Sequence, residues 1–160
     1  MFPYHFDAEK LLNRKLRWPT GPWHNEPDSK QWTSHGLACA IVREHSNGHL
    51  CGYVGVEKSH PSYGVSPSVS SIELDDFENW TQDRVDRTKA FAAFSIHRGI
   101  TFVSKGEKND LWWFGFDCGH SHDIRPRLGN GLLPSAEYRT FAFVERETEK
   151  LARFLYVQKG

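Results

Sequence analysis

The chain has 160 residues, and its Lys and Arg residues equal its Asp and Glu residues in number, so the formal net charge is zero. The length suits one domain of ordinary size, and the charge balance argues against a DNA or RNA polymer as partner, because phosphate backbones are held mainly by Lys and Arg. Since no apolar run approaches the roughly 20 residues that cross a bilayer, and the first residues lack the apolar centre of a secretion signal, we expect a cytoplasmic protein.

Residues 1–35 predict an irregular N-terminal arm that wraps the rest of the domain. Within it, Asp7–Leu16 has helical spacing, which places Leu11, Leu12 and Leu16 on one side of a short helix. The following stretch, WPTGPWHNEPDSKQW, contains three prolines and flanking tryptophans. That composition is typical of a loop held in place by aromatic anchors.

Residues 36–123 predict a sheet with a pocket. The runs GLACAIVRE and HLCGYVGVE flank the turn sequence EHSNGH, and Asn-Gly between two such runs is a strong signal for a β-hairpin. The runs AFSIHRGITFVSK and DLWWFGFDC, joined by GEKND, predict a second hairpin. Between the two hairpins, Lys58–Val69 predicts a loop, and a short helix is expected from Asp75 onward.

Alternation along the second hairpin assigns its side chains to the two faces of the sheet. The face with Trp113, Gly115 and Asp117 predicts a recess with a polar floor. The opposite face is expected to be core and carries Phe94, Ile96, Ile100, Phe102, Trp112, Phe114 and Phe116.

Residues 135–158 predict a long amphipathic helix, with Ser135 as its N-cap. Its apolar positions recur at steps of three and four residues: Phe141, Val144, Thr148, Leu151 and Leu155. We therefore predict an α+β fold, an antiparallel β-sheet with a long C-terminal amphipathic helix packed on it.

Polar residues at three predicted strands indicate acid–base chemistry. Imidazoles oriented by carboxylates suit proton transfer in phosphodiester or acyl hydrolysis without a metal. The candidate catalytic residues are His60, His97, His120, Asp117 and Asp123. The candidate ligand-binding residues, which would stack on a base or hold phosphate oxygens, are Tyr63, Arg98, Thr101, Trp113 and Arg125.

The run DCGHSHD leaves a metal site open as an alternative. Asp117, Cys118, His120, His122 and Asp123 are all possible ligands of a divalent metal. The three cysteines of the chain have no CxxC spacing, and the run lacks the spacing of a zinc knuckle. The favoured expectation is therefore that no cofactor is used.

The motifs GHLCGYVGV, HPSYG, HRGITF and WWFGFDCGHSHD resemble those of a largely uncharacterised family of small proteins from phages, prophages and bacteria. Relative to that pattern, Arg98 stands where glycine is expected, and His122 stands where a small residue is expected. The resemblance implies a phage counter-defence protein in the cytoplasm of the host bacterium.

Such a protein would bind a small nucleotide-derived immune signal, for example a cyclic dinucleotide or an ADP-ribose derivative, and hydrolyse its phosphodiester bond. Three alternatives remain open: a sponge that only sequesters the signal, a metal-dependent hydrolase, and a structural or protein-binding phage factor. A homo-oligomer would help to close the pocket.

Overall fold

The computed structural model describes residues 1–66 and 96–159. This part of the chain forms a five-stranded antiparallel sheet in the order β1-β2-β3-β5-β4. The elements are α1 (Ala8–Lys15), β1 (Ser29–Ser34), β2 (Leu37–Arg43), β3 (Leu50–Val56), β4 (Phe102–Lys105), β5 (Trp112–Asp117) and α2 (Phe141–Lys159). The α+β prediction is confirmed, as are both hairpins.

One face of the sheet is covered by α2. Gly52 of β3 allows the close approach of this helix, because a Cβ at Gly52 would lie 2.4 Å from Thr148 Oγ1. At the sheet edge, Trp32 Nε1 of β1 donates to Glu149 of α2 at 2.6 Å. The core between the helix and the sheet includes Ile41, Leu50, Val54, Phe114, Phe116, Val144, Leu151 and Leu155. Among the described residues, no helix is long and apolar enough to span a bilayer.

The opposite face of the sheet is a second core, which corrects the predicted recess. Trp113 is completely buried there, and its Nε1 donates to Asn109 Oδ1 at 3.0 Å. Tyr4 of the N-terminal arm packs edge-on against Tyr53, and the two hydroxyl groups lie 2.7 Å apart. The N-terminal aromatic residues therefore fill the space that alternation alone assigned to a ligand.

The predicted strand AFSIHRGITFVSK is shorter than expected. It begins only at Phe102, because residues 97–99 form a tight turn in which Gly99 N donates to the Ile96 carbonyl at 2.9 Å. The turn breaks the alternation, so Ile96 joins the core under α2 while Phe102 joins the opposite core. Phe94 lies outside the described residues, as do the helix expected from Asp75 and the end of the loop beyond Ser66.

The predicted N-terminal helix exists as α1, but a different side of it is buried. Asp7 caps it by accepting from Lys10 N at 3.0 Å. Leu11 is fully buried, whereas Leu12 and Leu16 are 52% and 75% exposed. Trp18 and Trp23 pack with Leu11, and this contact sets the rotation of the helix. The arm is also more regular than predicted, since it contributes the edge strand β1.

The C-terminal helix begins at Phe141, six residues later than the predicted cap, Ser135. The preceding chain is held extended, because Glu137 pairs with Asp123 in an isolated β-bridge. Two other groups cap α2: Glu26 accepts from Phe141 N at 2.8 Å, and Thr140 Oγ1 accepts from Phe143 N at 3.2 Å.

Arg43, the last residue of β2, is a completely buried cation. Its Nε donates to Asp28 Oδ1 at 2.8 Å, and its Nη1 donates to the Gly48 carbonyl and to the Tyr138 hydroxyl at 2.9 and 3.0 Å. Its Nη2 lies 3.3 Å from Glu26 Oε1. Burial alone would lower the pKa of Arg43, but Tyr138 and Asp28 raise it, so the guanidinium stays charged.

Removing this cation should strongly destabilise the fold. We expect Arg43→Met to lower the free energy of unfolding by about 3–5 kcal/mol, because it removes a fully buried cation and leaves the partly buried Glu26 and Asp28 without this partner. Lys105→Met is the control, since the Lys105–Asp110 pair is exposed and should be worth at most about 1 kcal/mol. Urea titrations measure both, and equal small losses in the two variants would contradict the structural role of Arg43.

Arg98 has a left-handed backbone, with φ +57°, in the turn that carries His97. We expect Arg98→Gly to raise the free energy of unfolding by about 0.5–1 kcal/mol, because this conformation is strained for a residue with a Cβ. Arg98→Ala keeps the Cβ and should leave stability unchanged in the same urea titration. If Ala stabilises as much as Gly, the gain comes from removing the charged side chain.

Candidate functional site

The candidate site lies where strands of the sheet end. The last residues of β5 meet the residues that lead into β4 there. Strand pairing places Gly115 opposite Phe102, so the residues before β4 lie beside the residues that end β5. The turn between β2 and β3 lies at the same end of the sheet, because Cys51, near the start of β3, pairs with Asp117, the last residue of β5. Antiparallel pairing thus gathers side chains from three chain segments.

His97, His120 and Asp123 form the centre of the site, here called the histidine–aspartate cluster. One ligand-type atom from each of the three residues lies within 4.8 Å of the others. His97 Nε2 is 3.0 Å from both carboxylate oxygens of Asp123. His120 Nδ1 is 3.6 Å from Asp123 Oδ2. Three of the five predicted catalytic residues are therefore in direct proximity.

The loop after β5 folds back on itself, and this local structure creates half of the cluster. Asp117 Oδ1 accepts from Gly119 N, and Asp123 Oδ2 accepts from His120 N, both at 3.0 Å. Asp123 N in turn donates to the His120 carbonyl at 2.9 Å. Such side-chain-to-backbone bonds are typical of Asp in turns, and they hold His120 beside the Asp123 carboxylate.

Asp123 is completely buried and receives several hydrogen bonds. Arg139 Nε donates to its Oδ1 at 2.9 Å, and the His120 N–H and His97 complete the set. Burial would raise the pKa of Asp123, but hydrogen bonds from His97, Arg139 and the His120 backbone outweigh it and lower the pKa to about 2. The carboxylate is therefore ionised at neutral pH.

His120 is the more accessible imidazole of the cluster. Its side chain is 31% exposed, compared with 8% for His97. Nδ1 of His120 is shielded from solvent and has no hydrogen-bond partner among the described residues, so the exposed surface belongs to other atoms of the side chain. Asp117 Oδ1 lies 3.5 Å from this nitrogen, which places the imidazole next to two carboxylates.

Asp117 and Thr101 form the outer side of the site. Thr101 Oγ1 donates to Asp117 Oδ2 at 2.8 Å, and Thr101 is exposed. The predicted catalytic residue Asp117 and the predicted ligand-binding residue Thr101 are thus both at this end of the sheet. Both are accessible to a ligand that approaches His120.

His49 of the β2–β3 turn packs directly against the loop after β5. A Cβ at Gly119 would lie 2.7 Å from the His49 ring, so the two segments are in close contact. His49 Nδ1 lies 3.9 Å from Glu44 Oε2. Burial lowers the pKa of His49, although Glu44 and Asp117 oppose the shift.

The structure places His60 away from the cluster. His60 Nε2 is 2.8 Å from the Leu155 carbonyl oxygen near the end of α2, and its Nδ1 accepts from Ser62 N at 3.0 Å. His97, in contrast, packs edge-on against Phe143 in the first turn of α2. At a rise of 1.5 Å per residue, these two points of the helix are about 18 Å apart.

Tyr63 and Trp113 are also outside the site. Tyr63 packs against Trp112, with ring centroids 5.9 Å apart, and Trp112 begins the strand that Asp117 ends. At about 3.3 Å per residue, these ends are roughly 17 Å apart. Trp113 is buried in the second core. Strand direction explains the positions of Tyr63 and His60, which both follow β3. In an antiparallel sheet, neighbouring strands run in opposite directions, so β3 and β5 finish at opposite ends of the sheet.

The remaining predicted residues lie near the cluster but differ in what they contact. Arg125 Nη2 donates to the Gly119 carbonyl at 2.7 Å and so braces the loop after β5. Arg98 is exposed next to His97. Cys118 is buried, and burial raises the pKa of its thiol, which argues against a thiolate metal ligand there. His122 is not part of the cluster.

Two residues of the site, Arg139 and His49, were not predicted as functional. Arg139 bonds to Asp123 and also lies over the Phe143 ring, 5.4 Å from its centroid. His49 follows the Asn-Gly turn. His49 lies within the motif GHLCGYVGV, and Arg139 is the arginine of the YR pair before the C-terminal helix. The resemblance of these two stretches to the phage family was the one signal in the sequence that pointed to them.

Comparison of the chain with protein-family models, with curated proteins and with solved structures gave no match.

The low pKa of Asp123 predicts a pH-dependent contribution to stability. Because the carboxyl titrates near 2 in the folded chain and near 3.8 when free, its stabilisation is complete above about pH 5 and is lost as the pH falls toward 2. We expect the difference in unfolding free energy between the wild type and Asp123→Asn to be about 1 kcal/mol smaller at pH 3 than at pH 6.

Urea titrations at the two pH values measure this difference. Asp110→Asn is the control, because the Asp110 side chain is 74% exposed, and its difference from the wild type should stay constant. A difference for Asp123→Asn that does not change with pH would show that the carboxylate is not held as described.

Proposed function

We propose that the protein binds a small nucleotide-derived ligand at the end of the sheet that carries the histidine–aspartate cluster, and hydrolyses a phosphodiester bond in it. The observation that carries this proposal is the position of His120, whose Nδ1 faces two carboxylates while other atoms of its side chain are exposed. An imidazole held by carboxylates is a suitable group for proton transfer near neutral pH.

The site contains the groups that hydrolysis requires. As the oxygen of water bonds to phosphorus, its proton must pass to a base, and the leaving oxygen must gain a proton as its bond to phosphorus breaks. His120 and Asp117 are the accessible groups for these transfers. Arg139 contacts Asp123, and Arg125 contacts Gly119, the residue before His120. Both add positive charge that favours a phosphate group.

The buried members of the cluster have a positioning role in this proposal. Asp123 is too deeply buried to contact a ligand, and it holds the His120 backbone N–H and His97. His97 is largely buried between Asp123 and Phe143. These contacts set the orientation of the loop that presents His120, which is the kind of support that a catalytic side chain needs.

The nucleotide character of the ligand is supported by the resemblance of the motifs to those of small phage and prophage proteins. A cyclic dinucleotide or an ADP-ribose derivative in the cytoplasm of an infected bacterium is the proposed substrate. Because Tyr63 and Trp113 lie elsewhere, base stacking on these two rings is not part of the proposal. The zero net charge suits a small ligand better than a nucleic-acid polymer.

The proposal predicts a separation of cleavage from binding. We expect His120→Gln to reduce the rate of cleavage about 100- to 10,000-fold, the usual contribution of a general acid–base group, while ligand binding persists. His122→Gln is the matched control, since His122 lies in the same loop but outside the cluster, and it should cleave like the wild type.

The experiment incubates each protein with a panel of cyclic dinucleotides and ADP-ribose derivatives. The bound fraction is then released by heat, and both fractions are analysed by chromatography. Products from the wild type support hydrolysis. Intact ligand released from the wild type indicates a sponge instead, and the absence of binding across the panel would contradict the proposed ligand class.

A further inference from the structure

We infer that the histidine–aspartate cluster binds a divalent transition metal ion through His97 Nε2, His120 Nδ1 and a carboxylate oxygen of Asp123. Two imidazoles and one carboxylate leave coordination positions open for water or substrate, which is the arrangement of many catalytic metal sites. This set differs from the DCGHSHD run suggested by the sequence, because Asp117, Cys118 and His122 are not in it and His97 comes from another segment.

The distances in the cluster fit such an ion. Ligand atoms bound tetrahedrally at about 2.0–2.2 Å from a metal lie about 3.3–3.6 Å from one another. His97 Nε2 lies 3.0 Å from the carboxylate oxygens, and His120 Nδ1 lies 3.6 Å from Asp123 Oδ2. The two imidazole nitrogens lie within 4.8 Å of each other, so they would approach by at most about 1.5 Å to place a cation among all three atoms.

His120 Nδ1 supplies an independent observation. This nitrogen is shielded from solvent and has no hydrogen-bond partner in the described part of the chain. A buried polar atom without a partner destabilises the folded chain. The contact between His97 and Asp123 accounts for two members of the cluster without a metal. It leaves His120 Nδ1 with carboxylate oxygens at 3.5 and 3.6 Å, which is longer than a good hydrogen bond. A bound cation would give this nitrogen a partner.

The hydrogen bonds of Asp123 leave room for a metal. A carboxylate has about four acceptor positions. Arg139 Nε uses one on Oδ1, and the His120 backbone N–H uses one on Oδ2. His97 Nε2 lies 3.0 Å from both oxygens, and His120 Nδ1 lies 3.6 Å from Oδ2. A metal would take the place of the proton on His97 Nε2, and the bonds from Arg139 and the His120 backbone would orient the carboxylate as outer-shell partners do.

Metal binding itself does not depend on the proposed function, but its use in hydrolysis rests on it. A metal ion lowers the pKa of a bound water and so supplies a nucleophile at neutral pH. His120 would then retain a proton on Nε2 as a hydrogen-bond donor, and Asp117 would be the accessible base next to the site.

The test uses the full chain, freed of metal by a chelator and then titrated calorimetrically with Zn²⁺ and, separately, Mn²⁺. We expect one ion per chain for at least one of these metals. His120→Gln and Asp123→Asn should each weaken binding at least 100-fold. His122→Gln, the control in the same loop, should bind like the wild type. Circular dichroism checks that each variant is folded.

Co²⁺ provides a second measurement, since visible absorption bands report the coordination of nitrogen and oxygen ligands around this ion. The bands should appear with the wild type and with His122→Gln but not with His120→Gln. No binding of Zn²⁺, Mn²⁺ or Co²⁺, or equal binding by folded His120→Gln, would overturn the inference.

Activity separates this inference from the proposed function. If the chelated protein cleaves the ligand at the full rate, the metal has no part in hydrolysis and the hydrolase proposal stands, while the titrations alone decide whether the metal binds. If the metal binds as described but no phosphodiester in the panel is cleaved, the metal site stands and the hydrolase proposal fails.

Discussion

The buried guanidinium of Arg43 is the interaction on which the arrangement of this fold depends. It joins the N-terminal arm, through Glu26 and Asp28, to the β2–β3 turn at Gly48 and to Tyr138 before the C-terminal helix. A buried cation tolerates little displacement of its partners, because each unpaired charge is costly. Three chain segments that are distant in sequence therefore keep one relative position.

The candidate site depends on the same network. Glu26 binds both Arg43 and the Tyr138 hydroxyl, and it caps the first N–H of α2. Tyr138 is followed directly by Arg139, whose guanidinium orients Asp123. A structural ion pair in the interior thus supports the group that holds His97 and His120. The proton-transfer chemistry and the metal chemistry proposed for the cluster both require this support, because each depends on side-chain positions being held to a fraction of an ångström.

Elements with a local signal were predictable from the sequence. The Asn-Gly turn fixes the first hairpin, since Gly48 has the positive φ that glycine accepts readily, and the spacing of Val144, Leu151 and Leu155 identifies the buried side of α2. The misplaced features depended on contacts between distant segments. The helix α2 begins at Phe141 rather than after Ser135, because Glu137 pairs with Asp123. The expected recess is filled by the N-terminal aromatic residues.

For the site, the sequence alone determined which chemistry was available: imidazoles and carboxylates in HRGIT and DCGHSHD, with His120 and Asp123 brought together by a local turn. Which of these residues meet depends on how the strands pair in the folded chain. In the structure, His97 and Arg139 contact Asp123, whereas His60 and Tyr63 lie at the opposite end of the sheet. Strand direction is the reason, because neighbouring antiparallel strands finish at opposite ends of the sheet. The order in which strands pair is a property of the whole sheet and cannot be read from any one segment.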